Sequence, residues 1–214
     1  MNSISLVRRG AAAAAVTACV ATGLATAVST GPAHAEERDA ARAVPKTTIT
    51  FEVPDCEGCE VGIMQGRWDP DAKWGMRVWD GGQKTVADGV VTFRIPTKRT
   101  EGLSMTVRAP WEGHTGYMTT VAFRYAGEKV GDEIGFRQAR EKTKATACWA
   151  GADADAVTVP LTVRKVWVQG VRHRVRGSIA FANVTQDWMK PMRTVWDGIL
   201  GSQEVNICGE QPKD

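Results

Sequence analysis

The chain has 214 residues, 43% of them hydrophobic, and a formal net charge of +3, to which Arg8 and Arg9 of the N-terminal segment contribute. A body so close to neutrality gives bulk electrostatics no argument for a nucleic-acid partner. The length suits one domain with a sizeable core rather than two, and past the N-terminal segment no run approaches the roughly 18 apolar residues that cross a bilayer as a helix.

Residues 1–35 read as a secretory signal. Arg8-Arg9 closes a positive n-region, an Ala/Val-rich stretch follows from Ala11 to Val28, and Gly31-Pro32-Ala33-His34-Ala35 places small residues at −3 and −1 of a cleavage site after Ala35. The expected product is a secreted, extracellular protein. Val16-Thr17-Ala18-Cys19 offers an alternative, a lipobox that would tie the domain to a membrane through Cys19, but the apolar run continues past it through Val20, Leu24 and Val28. Residues 36–45 are polar and expected to be a flexible leader, so the domain spans 46–214.

From Lys46 onward the main signal is period-two alternation broken by Gly, Pro and Asp. Ile49, Phe51 and Val53 share one face of a strand at 47–53, and Val91, Phe93 and Ile95 repeat the pattern at 89–95. Further strands are expected at 74–80, 102–109, 117–125, 157–169 and 178–184. Asp80-Gly81-Gly82-Gln83 predicts a hairpin turn, with Asp88-Gly89 and Ala126-Gly127 as further turns. Helical pattern is confined to Ile134–Lys144 and to Gln186–Leu200, where Pro191 would interrupt it. Short strands with turns at such spacing point to an antiparallel sandwich or barrel, and the expectation is an all-β protein, an antiparallel β-sandwich of transthyretin-like or immunoglobulin-like form with at most one or two short helices.

Without Cys19 the domain holds four cysteines, Cys56, Cys59, Cys148 and Cys208. An even number in an exported chain predicts disulfides. Cys56–Cys59 with Cys148–Cys208 is favoured, because Gly58 can take the positive φ of a tight ring. A redox role for Cys56-Glu57-Gly58-Cys59 is disfavoured: Gly62 and Gly66 weaken any following helix, and Glu57 and Glu60 would raise a thiolate's energy. Zinc would need other ligands at finger-like spacing, and the remaining cysteines are far along the chain.

No catalytic residues, metal ligands or cofactor are assigned. Ser104, Ser178 and Ser202 with His114 and His173 show no nucleophile elbow. Glu112 and His114, beside Gly113 and Gly116, read as an exposed loop, and Asp69-Pro70-Asp71 as a turn without the later ligands of a calcium loop. Asn183-Val184-Thr185 fits a glycosylation sequon.

The tryptophans and arginines are better clues. All eight tryptophans lie past the signal, and most should be core. Trp68, Trp74 and Trp111, flanked by Pro, Gly or Asp, are the candidates for an exposed platform that stacks on sugar rings. In Arg172-His173-Arg174-Val175-Arg176, a strand would project Arg172, Arg174 and Arg176 from one face about 7 Å apart, near the repeat of an extended polyanion. The competing account is an edge strand guarded by charge.

The stretch Asp88-Gly89-Val90-Val91-Thr92-Phe93-Arg94-Ile95-Pro96-Thr97, leading into Gly102–Val107, resembles transthyretin-like and carboxypeptidase-regulatory-like sandwich modules. The whole chain resembles small secreted proteins of GC-rich Gram-positive bacteria. The first resemblance implies a sandwich and the second a compartment, and neither implies an activity. The expected function is a non-enzymatic binding module for an extracellular polysaccharide, an anionic cell-wall polymer or another protein. A secreted enzyme assembled from distant residues and a protease inhibitor presenting the Cys56–Cys59 turn are the alternatives.

Overall fold

The structure, a computed structural model, describes residues 44–73, 75–141, 143–189 and 206–209. The expected signal, Cys19, the leader up to residue 43, Trp74, Trp196 and the helix candidate beyond residue 189 lie outside the described residues.

Strands β1 (Lys46–Glu52), β2 (Glu60–Trp68), β3 (Met76–Thr85), β4 (Val90–Pro96), β5 (Leu103–Arg108), β6 (Thr119–Ala122) and β7 (Arg124–Tyr125) come first in the chain. Helix α1 (Phe136–Ala139) and strands β8 (Ala145–Thr146), β9 (Ala156–Gln169) and β10 (Arg174–Ala182) follow. The fold is all-β. Eight strands form one sheet in the order β3-β2-β5-β6-β10-β9-β1-β4, and β7 and β8 pair separately. The expected antiparallel pattern is broken twice, because β9 runs parallel to β1 and β10 parallel to β6.

The alternation that marks β1 and β4 in the sequence becomes their packing. Thr47, Ile49 and Phe51 lie opposite Ile95, Phe93 and Val91, and these side chains are all buried. The Phe51 and Phe93 rings meet edge-on with centroids 6.2 Å apart, the geometry that the quadrupoles of two aromatic rings favour. Ile63, Leu103, Met105, Val121 and Leu161 extend this core across the other strands, with Trp149 stacked 6.2 Å from Phe123. A smaller cluster, built on Tyr125, Ile179 and Phe181, packs on the other face of β10.

The structure refines or overturns several expectations. The Asp80–Gln83 segment is not a hairpin turn. It lies inside β3, where the register with β2 shifts between Gly62 and Met64, so that Gly81 and Gly82 together face Ile63. The same two glycines that suit a turn suit this bulge: Gly82 has φ +87°, and a Cβ on Gly81 would lie 2.6 Å from Ile63 and 2.7 Å from Trp79. Ile134–Lys144 contains only the four-residue α1. The described start of the Gln186–Leu200 candidate is not helical, since Trp188 forms an antiparallel bridge with Trp149. The segment 117–125 divides at Phe123 into β6 and β7.

The two edges of the large sheet approach one another. Asp88 and Gly89, both at positive φ (54° and 72°), turn the chain from β3 into β4, and the Lys84 ammonium donates to the Thr92 carbonyl at 2.6 Å. The sheet is therefore nearly closed.

The expected disulfides, Cys56–Cys59 and Cys148–Cys208, both form. All four of these cysteines are buried. The exposed Glu57 between the first pair reaches back, its carboxylate accepting from the amides of Asp88 and Gly89 at 3.3 and 3.1 Å. Disulfides are consistent with an extracellular protein. Among the described residues no helix is long and apolar enough to cross a membrane.

Candidate functional site

The arginine-rich segment forms the tip of the β9–β10 hairpin. Gly170 closes the turn by donating to the His173 carbonyl at 3.0 Å, and the ladder begins with Arg174 opposite Gln169. Arg172 therefore lies in the turn, and only Arg174 and Arg176 occupy the strand. Residues directly opposite one another in an antiparallel pair share a face. Going inward, Arg174/Gln169, Arg176/Trp167, Ser178/Lys165, Ala180/Val163 and Ala182/Leu161 thus form one continuous face.

The inner end of that face is core, since Val163, Ala180, Leu161 and Ala182 are buried. Trp111, on the loop after β5, marks where core gives way to surface. It packs against the core, its indole N–H donates to the Ser178 hydroxyl at 3.1 Å, and the Lys165 ammonium sits 4.9 Å from its ring centroid. One step outward, the Arg176 guanidinium lies 4.0 Å from the Trp167 ring centroid. Trp167 remains 53% exposed. A cation over an indole face is favourable and leaves the guanidinium edge, with its fork of N–H donors, able to meet a carboxylate or phosphate.

Charge on this ribbon is one-sided. Lys165, Arg172, Arg174 and Arg176 are exposed, and among the described residues no carboxylate lies within 4.0 Å of any of them. Neighbouring Arg164 projects from the opposite face, 3.9 Å from Asp55. Arg174 and Arg176 are about 7 Å apart along the strand. A surface of this kind can hold an extended polyanion by charge-assisted hydrogen bonds while an aromatic face packs against its carbon skeleton.

Of the proposed tryptophan platform, Trp68 and Trp111 do not come together, and Trp74 lies outside the described residues. Trp68 ends β2, whereas Trp111 follows Arg108, which pairs with Glu60 at the start of that strand. The two indoles thus sit toward opposite ends of a nine-residue strand, a run of about 26 Å, and both are half-buried. Among the described residues the exposed indole is Trp167, which the flanking-residue criterion misses. Counting back from the Gly170–His173 turn would have placed it opposite Arg176.

Other expectations fall as follows. Cys56 and Cys59 are buried and bonded to each other, leaving no exposed thiol. Among the described residues no group of three or more His, Cys, Asp and Glu side chains gathers to hold a metal. The backbones of His114 and His173 meet at the hairpin tip, where the Val171 amide donates to the His114 carbonyl at 3.3 Å and the Gly170 amide to that of His173.

Comparison with known proteins finds no matching family, no similar curated protein and no similar solved structure.

Proposed function

We propose that this chain is an extracellular, non-enzymatic binding module that holds an anionic polymer of the cell-wall type along the β9–β10 ribbon. The observation that carries the reading is the Arg176–Trp167 stack, set in a row of cations without carboxylate partners. A core residue would be covered, and an edge-guarding charge would need no aromatic beneath it. Here an indole is left in solvent with a cation on its face. That arrangement suits a ligand combining acidic groups with an apolar skeleton, such as a polyuronate or a poly(glycerol phosphate).

The compartment belongs to the same proposal. Residues 1–35 act as the export signal and the mature chain begins at Glu36, a reading supported by the two disulfides. The single core enclosed by the eight-stranded sheet is what supports a sandwich-like body of the transthyretin-like kind.

The test is co-sedimentation with insoluble polygalacturonate and poly(glycerol phosphate), with neutral dextran as control. Retention on the anionic polymers that weakens steeply with salt is expected, because cations on a polyanion displace its counterions. Replacing Arg172, Arg174 and Arg176 together by alanine should abolish it. Equal retention of the triple variant, or no retention of the native chain on either polymer, would overturn the reading.

A further inference from the structure

The loop that carries Trp111 has a second side. Between it and the outer surface of the sheet lies a cleft of about 650 Å³, within the range of small-molecule sites, about 300–1,000 Å³. Its floor comes from the outward positions of β2 and β5, where Glu60 is paired with Arg108 and Gly62 with Thr106. Gly62 keeps that floor low: even a Cβ there would come within 3.0 Å of the Thr106 hydroxyl. The roof is the loop itself, with Glu112, Tyr117 and Met118 facing the space.

The roof is held in shape. The Gly113 amide donates to the Arg176 carbonyl at 2.9 Å, and the Thr115 hydroxyl donates to the Tyr117 carbonyl at 2.8 Å. A Cβ on Gly113 would press on Val175 at 2.8 Å, so the loop backbone lies directly against β10. The Glu112 carboxylate is oriented by the hydroxyl of buried Thr119 at 3.3 Å.

Charges in the cleft are uneven. Glu60 and Arg108 are register partners but form no ion pair within 4.0 Å, so the lining carries two carboxylates, Glu60 and Glu112, against one guanidinium. Glu112 has no cation within 4.0 Å among the described residues, and the remaining polar lining is Gln83, His114 and the threonine hydroxyls. We propose that this cleft binds a single pyranose ring, with amine-bearing sugars preferred. The Glu112 carboxylate accepts from an ammonium or from adjacent hydroxyls, the amide and hydroxyl groups of Gln83 and Thr106 serve the other hydroxyls, and Tyr117 with exposed Met118 covers the C–H face of the ring. This site does not rest on the polymer reading. It lies on the other side of the loop, and its unbalanced charge has the opposite sign.

The experiment is a backbone amide NMR titration of the whole mature chain with glucosamine, N-acetylglucosamine and glucose, with glycerol as the control for non-specific solvation. Glucosamine should produce saturable shifts at Gly62 and across residues 113–118 and bind more tightly than glucose. Glu112→Gln should weaken glucosamine about tenfold, the loss of one charge-assisted contact. Thr119→Val, which frees the carboxylate without removing it, should weaken it less and serves in its place if the first variant does not fold. Arg174→Ala, in the ribbon but not part of the Gly113 contacts that hold the cleft loop, should bind the sugar as the native chain does, so a failure here is separable from a failure of the ribbon. The proposal is overturned by shifts no larger than those from glycerol, by equal affinity for all three sugars, or by unchanged glucosamine binding in the Glu112 and Thr119 variants.

Discussion

Arg176 and Trp167 are register partners on β10 and β9, and the guanidinium of one lies 4.0 Å from the indole centroid of the other. Arg176→Ala is expected to cost about 0.5–1 kcal/mol of stability. It should also raise the accessibility of Trp167 to acrylamide, read as a steeper quenching slope. An unchanged slope would mean that the stack is not maintained in solution.

The disulfides should contribute unequally. Cys148–Cys208 closes a separation of 60 residues and Cys56–Cys59 one of three. Replacing the first pair by alanine should lower the urea-unfolding free energy by about 4 kcal/mol, and replacing the second by about 2 kcal/mol, since the longer loop restricts the unfolded chain more. Equal losses would show that native contacts, rather than chain entropy, set the difference.

At the bulge, neighbouring glycines should respond differently to alanine. Gly81→Ala forces a methyl against Ile63 and Trp79 and should cost about 1–3 kcal/mol. Gly82→Ala meets open space but keeps a φ of +87°, so its cost, about 1 kcal/mol, comes from backbone strain alone. Thermal or urea unfolding of both variants checks the order.

Much of this architecture was legible because burial and alternation coincide: in β1 and β4 every inward position is apolar or a single threonine, so period two is visible. In β2 it is not. Gly62 and Gly66 remove side chains that would mark the strand, and inward-facing Gln65 breaks the apolar pattern. Gln65 tolerates burial only because its amide donates to the Glu101 carbonyl at 2.6 Å and its oxygen accepts from Arg99 at 2.8 Å, partners more than thirty residues away. The Asp80–Gln83 error has a similar origin, since a glycine pair serves a turn or a bulge equally and the partner strand decides. Of the candidate site, the arginines could be read directly. Trp167 could not, because its exposure depends on cross-strand register rather than on its neighbours in sequence.

Gln65→Leu should accordingly be costly although it makes the core more apolar. The substitution leaves the Glu101 carbonyl and the Arg99 guanidinium without this partner, a loss of about 1–3 kcal/mol. Urea unfolding of the variant checks it, and a neutral or stabilising result would mean that water replaces the amide.

Tyr125 should give the protein an alkaline limit. It is buried, its hydroxyl donates to the Ala139 carbonyl at 3.4 Å, and desolvation raises its pKa well above the ordinary 10.0. Above pH 10 the unfolded chain releases this proton while the folded chain keeps it, so stability present at lower pH is lost as pH rises, by up to about 1.4 kcal/mol per pH unit. Tyr125→Phe should flatten the decline above pH 10 in urea titrations. Parallel curves for the two proteins would refute the assignment.

The turn at Asp88-Gly89 joins the first and last strands of a sheet that has almost met itself. The two borders are tied there by the Ala87–Val90 bridge and by Lys84, which donates to the Thr92 carbonyl. A single proteolytic nick in that turn would unfasten both borders together, exposing two hydrogen-bonding rims where the intact molecule offers neither fully. Self-association followed by light scattering should therefore rise once that turn is cut, and an unchanged signal would show that the borders stay covered without it.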